Sequence, residues 1–133
     1  MNRQTTRQII HTDMAPAAIG PYSQANRAGG FVFTAGQIPL DPATMQIVGA
    51  TAPEQARQAL RNAQAIVEAA GLKLGDVVKV TVFIRDMGQF AAINEVYTTF
   101  FPANPPARSV VEVSRLPKDV LVEVEMIAYG PSA

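Results

Sequence analysis

The strongest period in the chain runs from Thr51 to Gly71. Ala56, Ala59, Leu60, Ala63, Ile66, Val67 and Ala70 recur at three- and four-residue spacing, which puts them on one face of a helix. Thr51 is placed to cap it, Glu54 three residues later completes a capping box, and Pro53 sits in the tolerated first turn. Gly71 is a natural stop. The small alanines allow this helix to lie close on a sheet. Beyond it the period changes to two: Val78, Val80, Val82 and Ile84 alternate with Lys79, Thr81 and Phe83, a strand. A second helix is predicted from about Gln89 to Phe101, with Phe90, Ile93, Tyr97, Phe100 and Phe101 buried, and Pro102, Pro105 and Pro106 ending it.

Shorter runs complete the pattern. A weak strand is read at Gln8 to His11, and an ordered loop from Ala15 to Tyr22 around Pro16, Gly20 and Pro21. Gly30 to Gly36 is rich in strand formers and leads to a turn at Pro39, Asp41 and Pro42, with Met45 to Val48 as the returning strand. Arg108 to Ser114 and Val120 to Tyr129 are the last two strands, joined by a turn through Leu116–Asp119. The order β-β-β-α-β-α-β-β predicts an α+β fold, a mixed sheet with two helices packed on one face. The other face is then uncovered. Yet the last strand is apolar on both sides, with Val120, Val122, Val124 and Met126 on one and Leu121, Ile127 and Tyr129 on the other. An uncovered apolar face implies a partner, and we expect a homo-oligomer.

Length and composition narrow the setting. The chain has 133 residues, 48% hydrophobic and 17% charged, which predicts one folded domain over residues 1–133 rather than two or a disordered segment. There are no repeats, low-complexity tracts or linker. Eleven basic residues balance eleven acidic ones without a Lys/Arg cluster, so no nucleic-acid or membrane partner is expected. Cysteine is absent, which excludes disulfides, thiol nucleophiles and Cys-based zinc sites. Residues 1–11 do not read as a secretory signal, and no apolar run approaches the roughly 20 residues of a membrane helix. A soluble, cytoplasmic protein is expected.

Candidate chemistry is sparse. His11 is the one histidine, so Ser-His-Asp and Cys-His triads and multi-histidine metal sites are excluded, and no phosphate-binding glycine loop occurs. Four places remain. Arg108 follows Pro105-Pro106-Ala107 at the start of a strand, a rigid mount for a guanidinium that could grip a carboxylate. Spacing alone favours an exposed arginine there. Glu123 and Glu125 point to one face of an otherwise apolar strand, where a partly desolvated carboxylate could hold or deprotonate water; a solvated face or a salt bridge reads equally well. Ile19-Gly20-Pro21-Tyr22 is a stiff turn carrying an aromatic hydroxyl, or simply an edge-filling loop. Gly36 permits close backbone approach, although a plain turn explains Gly36 to Pro42 as well. Asn94 could offer an amide to a ligand, against the default of a surface-helix asparagine.

Together these segments resemble one family. Ala15-Pro16-Ala17-Ala18-Ile19-Gly20-Pro21-Tyr22-Ser23-Gln24-Ala25 resembles the opening motif of the RidA/YjgF family, and Gly36-Gln37-Ile38-Pro39 its second motif. Pro106-Ala107-Arg108-Ser109, Val111-Glu112-Val113, Leu116-Pro117 and Val122-Glu123-Val124-Glu125 resemble its C-terminal signature, in the family's order from about Ala15 to Tyr129. The resemblance implies a chorismate-mutase-like fold, a homotrimer with clefts between subunits, and no cofactor or metal. It implies hydrolytic deamination of 2-imino and enamine acids, such as 2-iminobutanoate and 2-iminopropanoate, to 2-oxo acids and ammonia. By the same resemblance Arg108 holds the substrate carboxylate, Glu123 places the attacking water, and Tyr22, Ala35, Asn94 and Val110 line the cleft. Ala35 stands where many active members carry serine, and Val110 where close relatives carry cysteine. The loop before Pro105 is also short. The alternatives are a trimer that binds a small carboxylate without turnover, which Ala35 favours, and an RNA-directed endoribonuclease or translation inhibitor, which neutral charge disfavours.

Overall fold

The computed structural model describes residues 7–131. Six strands form one sheet: β1 (Arg7–Ile10), β2 (Ala25–Ala28), β3 (Phe31–Thr34), β4 (Val77–Ile84), β5 (Ala107–Glu112) and β6 (Val122–Tyr129). Helices α1 (Ala52–Ala69) and α2 (Phe90–Phe100) complete the element order. The sheet runs β1-β2-β3-β6-β4-β5, antiparallel throughout except for the parallel β4–β5 pair that α2 bridges. The result is the expected α+β arrangement of one mixed sheet and two helices.

Register decides which face carries the core. Val80, Val82 and Ile84 of β4 and Val122, Val124, Met126 and Ala128 of β6 point to the helix side and are buried. There they meet Ala56, Ala59, Leu60, Ala63, Ile66 and Val67 of α1 and Ile93, Val96 and Tyr97 of α2 in one cluster. The capping box forms as predicted: the Glu54 amide donates to Thr51 Oγ1, and the Glu54 side chain takes the Thr51 amide. After α1 the chain turns at Gly71, whose φ of +84° is costly for any other residue. The opposite face keeps its apolar side chains open, with Phe31 43%, Phe33 44% and Tyr129 53% exposed. Phe31 and Tyr129 pack there as a tilted pair, with ring centroids 4.7 Å apart.

Three elements differ from the sequence expectation. Met45 to Val48 is not a strand: Ile47 makes only an isolated bridge to Leu40, and Met45 sits at a φ of +61°. Asp41 instead closes a compact loop, its amide donating to Gln46 O and its carboxylate accepting from Ala43 N. The third N-terminal strand is β2, whose Ala-Asn-Arg-Ala carries no β-propensity. It is held by pairing with β1 and β3 and by Arg27, whose buried guanidinium donates to Gly130 O and Ala70 O. Phe90, expected in the core, is 36% exposed. Among the described residues no helix is long and apolar enough to cross a membrane.

Two buried amides fix the loops that matter for function. Gln24 takes the Thr12 amide on Oε1, while its Nε2 donates to the carbonyls of Thr12, Ala15 and Pro16. That freezes the segment leading to Tyr22. Asn62 of α1 donates to Ile38 O and Leu40 O at 3.0 and 2.9 Å, anchoring the chain beyond Gly36.

Candidate active site

Arg108 is the second residue of β5 and pairs with Val80, so its side chain leaves the sheet on the helix side. There it lies along α2. Its guanidinium carbon sits 4.6 Å from the Tyr97 ring centroid and 5.5 Å from that of Phe90. Nη1 donates to Asn94 Oδ1 at 2.7 Å. Asn94, Tyr97, Thr98, Phe101, Pro105 and Arg108 line a groove of about 430 Å³. Among the described residues the contacts within ion-pair distance are His11–Asp13 and Arg115–Asp119, so no carboxylate lies against Arg108. Its charge is met by two ring faces and one amide, which leaves the rest of the guanidinium fork for an anion.

Glu123 lies on the other side of the sheet. It pairs with Phe83 and shares the open face with Glu125, which pairs with Thr81. Of the two, Glu123 enters a hollow of about 300 Å³, lined with Ile19, Tyr22, Ala35, Gly36, Ile38 and Pro117. Burial holds its carboxyl above the ordinary range, and the like charge of Glu125 adds to the rise. The segment beside it is strapped to β6 by mutual backbone bonds between Gln37 and Val124. Gly36 lets the Glu123 carboxylate come this close, because a Cβ there would collide with it and push the side chain aside. Tyr22 Oη accepts the Ile19 amide at 3.3 Å and the ring stays 47% exposed, at the rim of the hollow.

Five of the six residues singled out from the sequence therefore fall into two groups. Arg108 and Asn94 come together on the helix side; Tyr22, Ala35 and Glu123 come together on the open side. Val110 joins neither hollow: it pairs with Val82 and packs its side chain against the core, leaving only its backbone for a ligand. The sheet stands between the groups within one chain. Three residues were missed as site residues. Phe90 and Tyr97 flank Asn94 at four- and three-residue spacing, one helical face, which is a legible signal once Arg108 is taken as its target. Gln24 gave no signal beyond its place in a motif.

His11 is exposed and bonds only Asp13, outside both hollows. Among the described residues no group of three or more His, Cys, Asp or Glu forms that could hold a metal. A further hollow of about 300 Å³ at Arg85, Gln89 and Leu121 contains none of the singled-out residues.

Comparison with known proteins covers nearly the whole chain. The family profile described as Endoribonuclease L-PSP matches residues 12–130. A Pyrococcus horikoshii protein, named RutC family protein PH0854, is 58% identical over 92% of this chain and 98% of its own. The 2-iminobutanoate/2-iminopropanoate deaminase of Salmonella typhimurium is 57% identical over 91% of this chain and 96% of its own. The crystal structure of the Escherichia coli YjgF gene product superposes with a TM-score of 0.89 at 53% identity, covering 93% of this chain and 99% of that one. With motifs, topology and full-length similarity in agreement, the chain belongs to the RidA/YjgF family.

Proposed function

We propose that the protein is a hydrolase of 2-imino and enamine acids, acting on 2-iminobutanoate and 2-iminopropanoate as a homotrimer of chorismate-mutase-like subunits. The observation that carries this reading is Arg108: a half-buried guanidinium, stacked on Tyr97, bonded to Asn94 and without a carboxylate of its own. Such a cation fits a small acid by its charged end. The name of the Salmonella typhimurium relative supports the substrate class.

The chemistry asks little of the protein. C2 of a protonated imine is already electrophilic, so orientation and one proton carrier suffice. Arg108 anchors the carboxylate and sets C2 over Glu123. The Glu123 carboxylate takes a proton from water as its oxygen bonds to C2, then passes that proton to nitrogen. The resulting carbinolamine, now protonated at nitrogen, gives its hydroxyl proton to the Glu123 carboxylate as the C2 carbonyl forms and the C–N bond breaks; ammonia leaves with that proton as ammonium, which returns Glu123 to its ionised state and yields the 2-oxo acid. No cofactor or metal takes part. Arg108 and Glu123 leave opposite faces of the sheet, so one chain's Arg108 works with the neighbouring chain's Glu123. The exposed Phe31, Phe33 and Tyr129 supply the apolar surface for that assembly.

Subunit mixing tests both parts at once. Wild-type protein releases 2-oxobutanoate and ammonia from a threonine dehydratase reaction faster than the uncatalysed rate, and Arg108→Ala and Glu123→Gln each lose this. Co-expressed, the two variants recover about a quarter of the wild-type rate, because random assortment restores that share of intact interfaces. Inactive wild-type protein sinks the activity, and inactive mixed trimers sink the shared site. The family description Endoribonuclease L-PSP brings a second reading, RNA cleavage, but no histidine lies in either hollow and the chain carries a formal net charge of +0.

A further inference from the structure

We infer that Tyr97 is a positioning residue, the aromatic platform that fixes the plane of the Arg108 guanidinium and thereby sets how strongly the site holds a carboxylate. The inference rests on the reading of Arg108 as the carboxylate anchor. The guanidinium carbon lies 4.6 Å from the Tyr97 ring centroid, inside the range where the ring's negative face attracts a cation. The second ring, Phe90, is farther at 5.5 Å and 36% exposed, so it is the more mobile wall. Tyr97 itself cannot swing: it is 6% exposed and its ring packs 4.9 Å from that of Phe101.

Three constraints then define the guanidinium. β5 fixes the Arg108 backbone, Asn94 takes one edge through Nη1, and Tyr97 takes one face. A planar fork held by one edge and one face has its remaining edge turned to the groove, where a carboxylate can accept two parallel bonds. Without the platform the long side chain regains rotamer freedom, and each carboxylate bound must order it again. The ring does this work, not the hydroxyl. Tyr97 Oη is buried and has no hydrogen-bond partner, on Arg108 or elsewhere among the described residues. Phenylalanine supplies the same face without that unpaired group.

Calorimetric titration with 2-oxobutanoate, alongside steady-state kinetics, tests this on the full-length trimer. Tyr97→Leu weakens binding and raises KM roughly tenfold with a much smaller change in kcat. Tyr97→Phe binds like wild type and is at least as heat-stable. Wild-type affinity in Tyr97→Leu overturns the inference; so does Tyr97→Phe as weak as Tyr97→Leu, which would put the hydroxyl in charge. If Tyr97→Leu fails to fold, the wild-type protein decides. Its Arg108 Nε–Hε resonance, identified by its loss in Arg108→Lys, is shifted from the free-arginine position by the ring current and stays so in Tyr97→Phe. A free-arginine position overturns the inference. Failure of the deaminase reading shows separately, as wild-type protein that yields no 2-oxo acid while these binding and resonance outcomes still stand or fall on their own.

Discussion

The two hollows treat charge in opposite ways. On the helix side Arg108 is supported: two aromatic faces and an amide stabilise its positive charge while leaving it unneutralised. On the open side Glu123 is unsettled: burial and the neighbouring Glu125 both disfavour its negative charge. A binding group has to be charged and still before its ligand arrives, whereas a proton carrier works best when its two states lie close in energy. In the proposed hydrolase this contrast gives binding to the Arg108 hollow and proton transfer to the Glu123 hollow. It also gives the two faces of one sheet separate parts in that proposal. A cation and a carboxylate side by side would neutralise each other, and within one chain the sheet keeps them apart.

The largest expected effect comes from removing the proton carrier. Glu123→Gln keeps shape and loses basicity, so kcat falls by about 10²–10⁴ while 2-oxobutanoate affinity stays at the wild-type level. In the wild type, kcat/KM falls as pH drops through the raised Glu123 value, because the base must be ionised. Stability has the opposite sign. A carboxyl whose folded value is raised takes up a proton more readily in the fold, so the Glu123 contribution to stability is fully present below the ordinary carboxylate range and is lost as pH rises through the raised value. Glu123→Gln removes that decline, and thermal melts across pH read it directly. A variant that loses affinity instead would break the division between the halves.

A smaller, sharper cut is Gly36→Ala. The new Cβ would collide with the Glu123 carboxylate and come within 2.8 Å of its Cδ, so the side chain must swing away. Because the obstruction is the end of a flexible side chain, the fold tolerates it. Misplacing the reacting carboxylate by about 1 Å costs on the order of 100-fold in kcat. Titration with 2-oxobutanoate remains normal if Arg108 is the binding half. Loss of both would show that the halves are coupled.

How far the site can be read from residues alone follows from the same contrast. α1 was legible because cap, period and stop agree over twenty residues of chain. β2 was not, since Ala-Asn-Arg-Ala becomes a strand only by lying between β1 and β3 with Arg27 bonded to distant carbonyls. Met45 to Val48 reads as a strand because it is apolar, but Met45 packs against the small cluster of Leu40, Leu116 and Val120 from a loop while Ile47 stays 44% exposed. Glu123 was legible as one of a pair, but only the approach of Gly36 separates it from Glu125. Arg108 was legible through its motif, its environment was not. Tyr97 read as core, and it is core; that it is also the floor under a cation depends on the register of β5 against β4.

The smallest effect tests the amide that holds the guanidinium edge. Asn94→Ala deletes the 2.7 Å bond from Arg108 Nη1 and leaves the aromatic platform in place. Half-buried Nη1 can turn to water, so the loss is that of one ordinary net hydrogen bond, about 0.5–1.5 kcal/mol, or a rise of a few-fold in KM. The value of kcat should not move, because the amide touches the binding half and never the water. The opposite split, a fall in kcat at unchanged KM, would place Asn94 against the reacting imine and erase the distinction between a half that binds and a half that moves protons. Steady-state kinetics on the Asn94→Ala protein, with Asn94→Asp as a companion that pairs Arg108 and should weaken carboxylate binding further, decides between them.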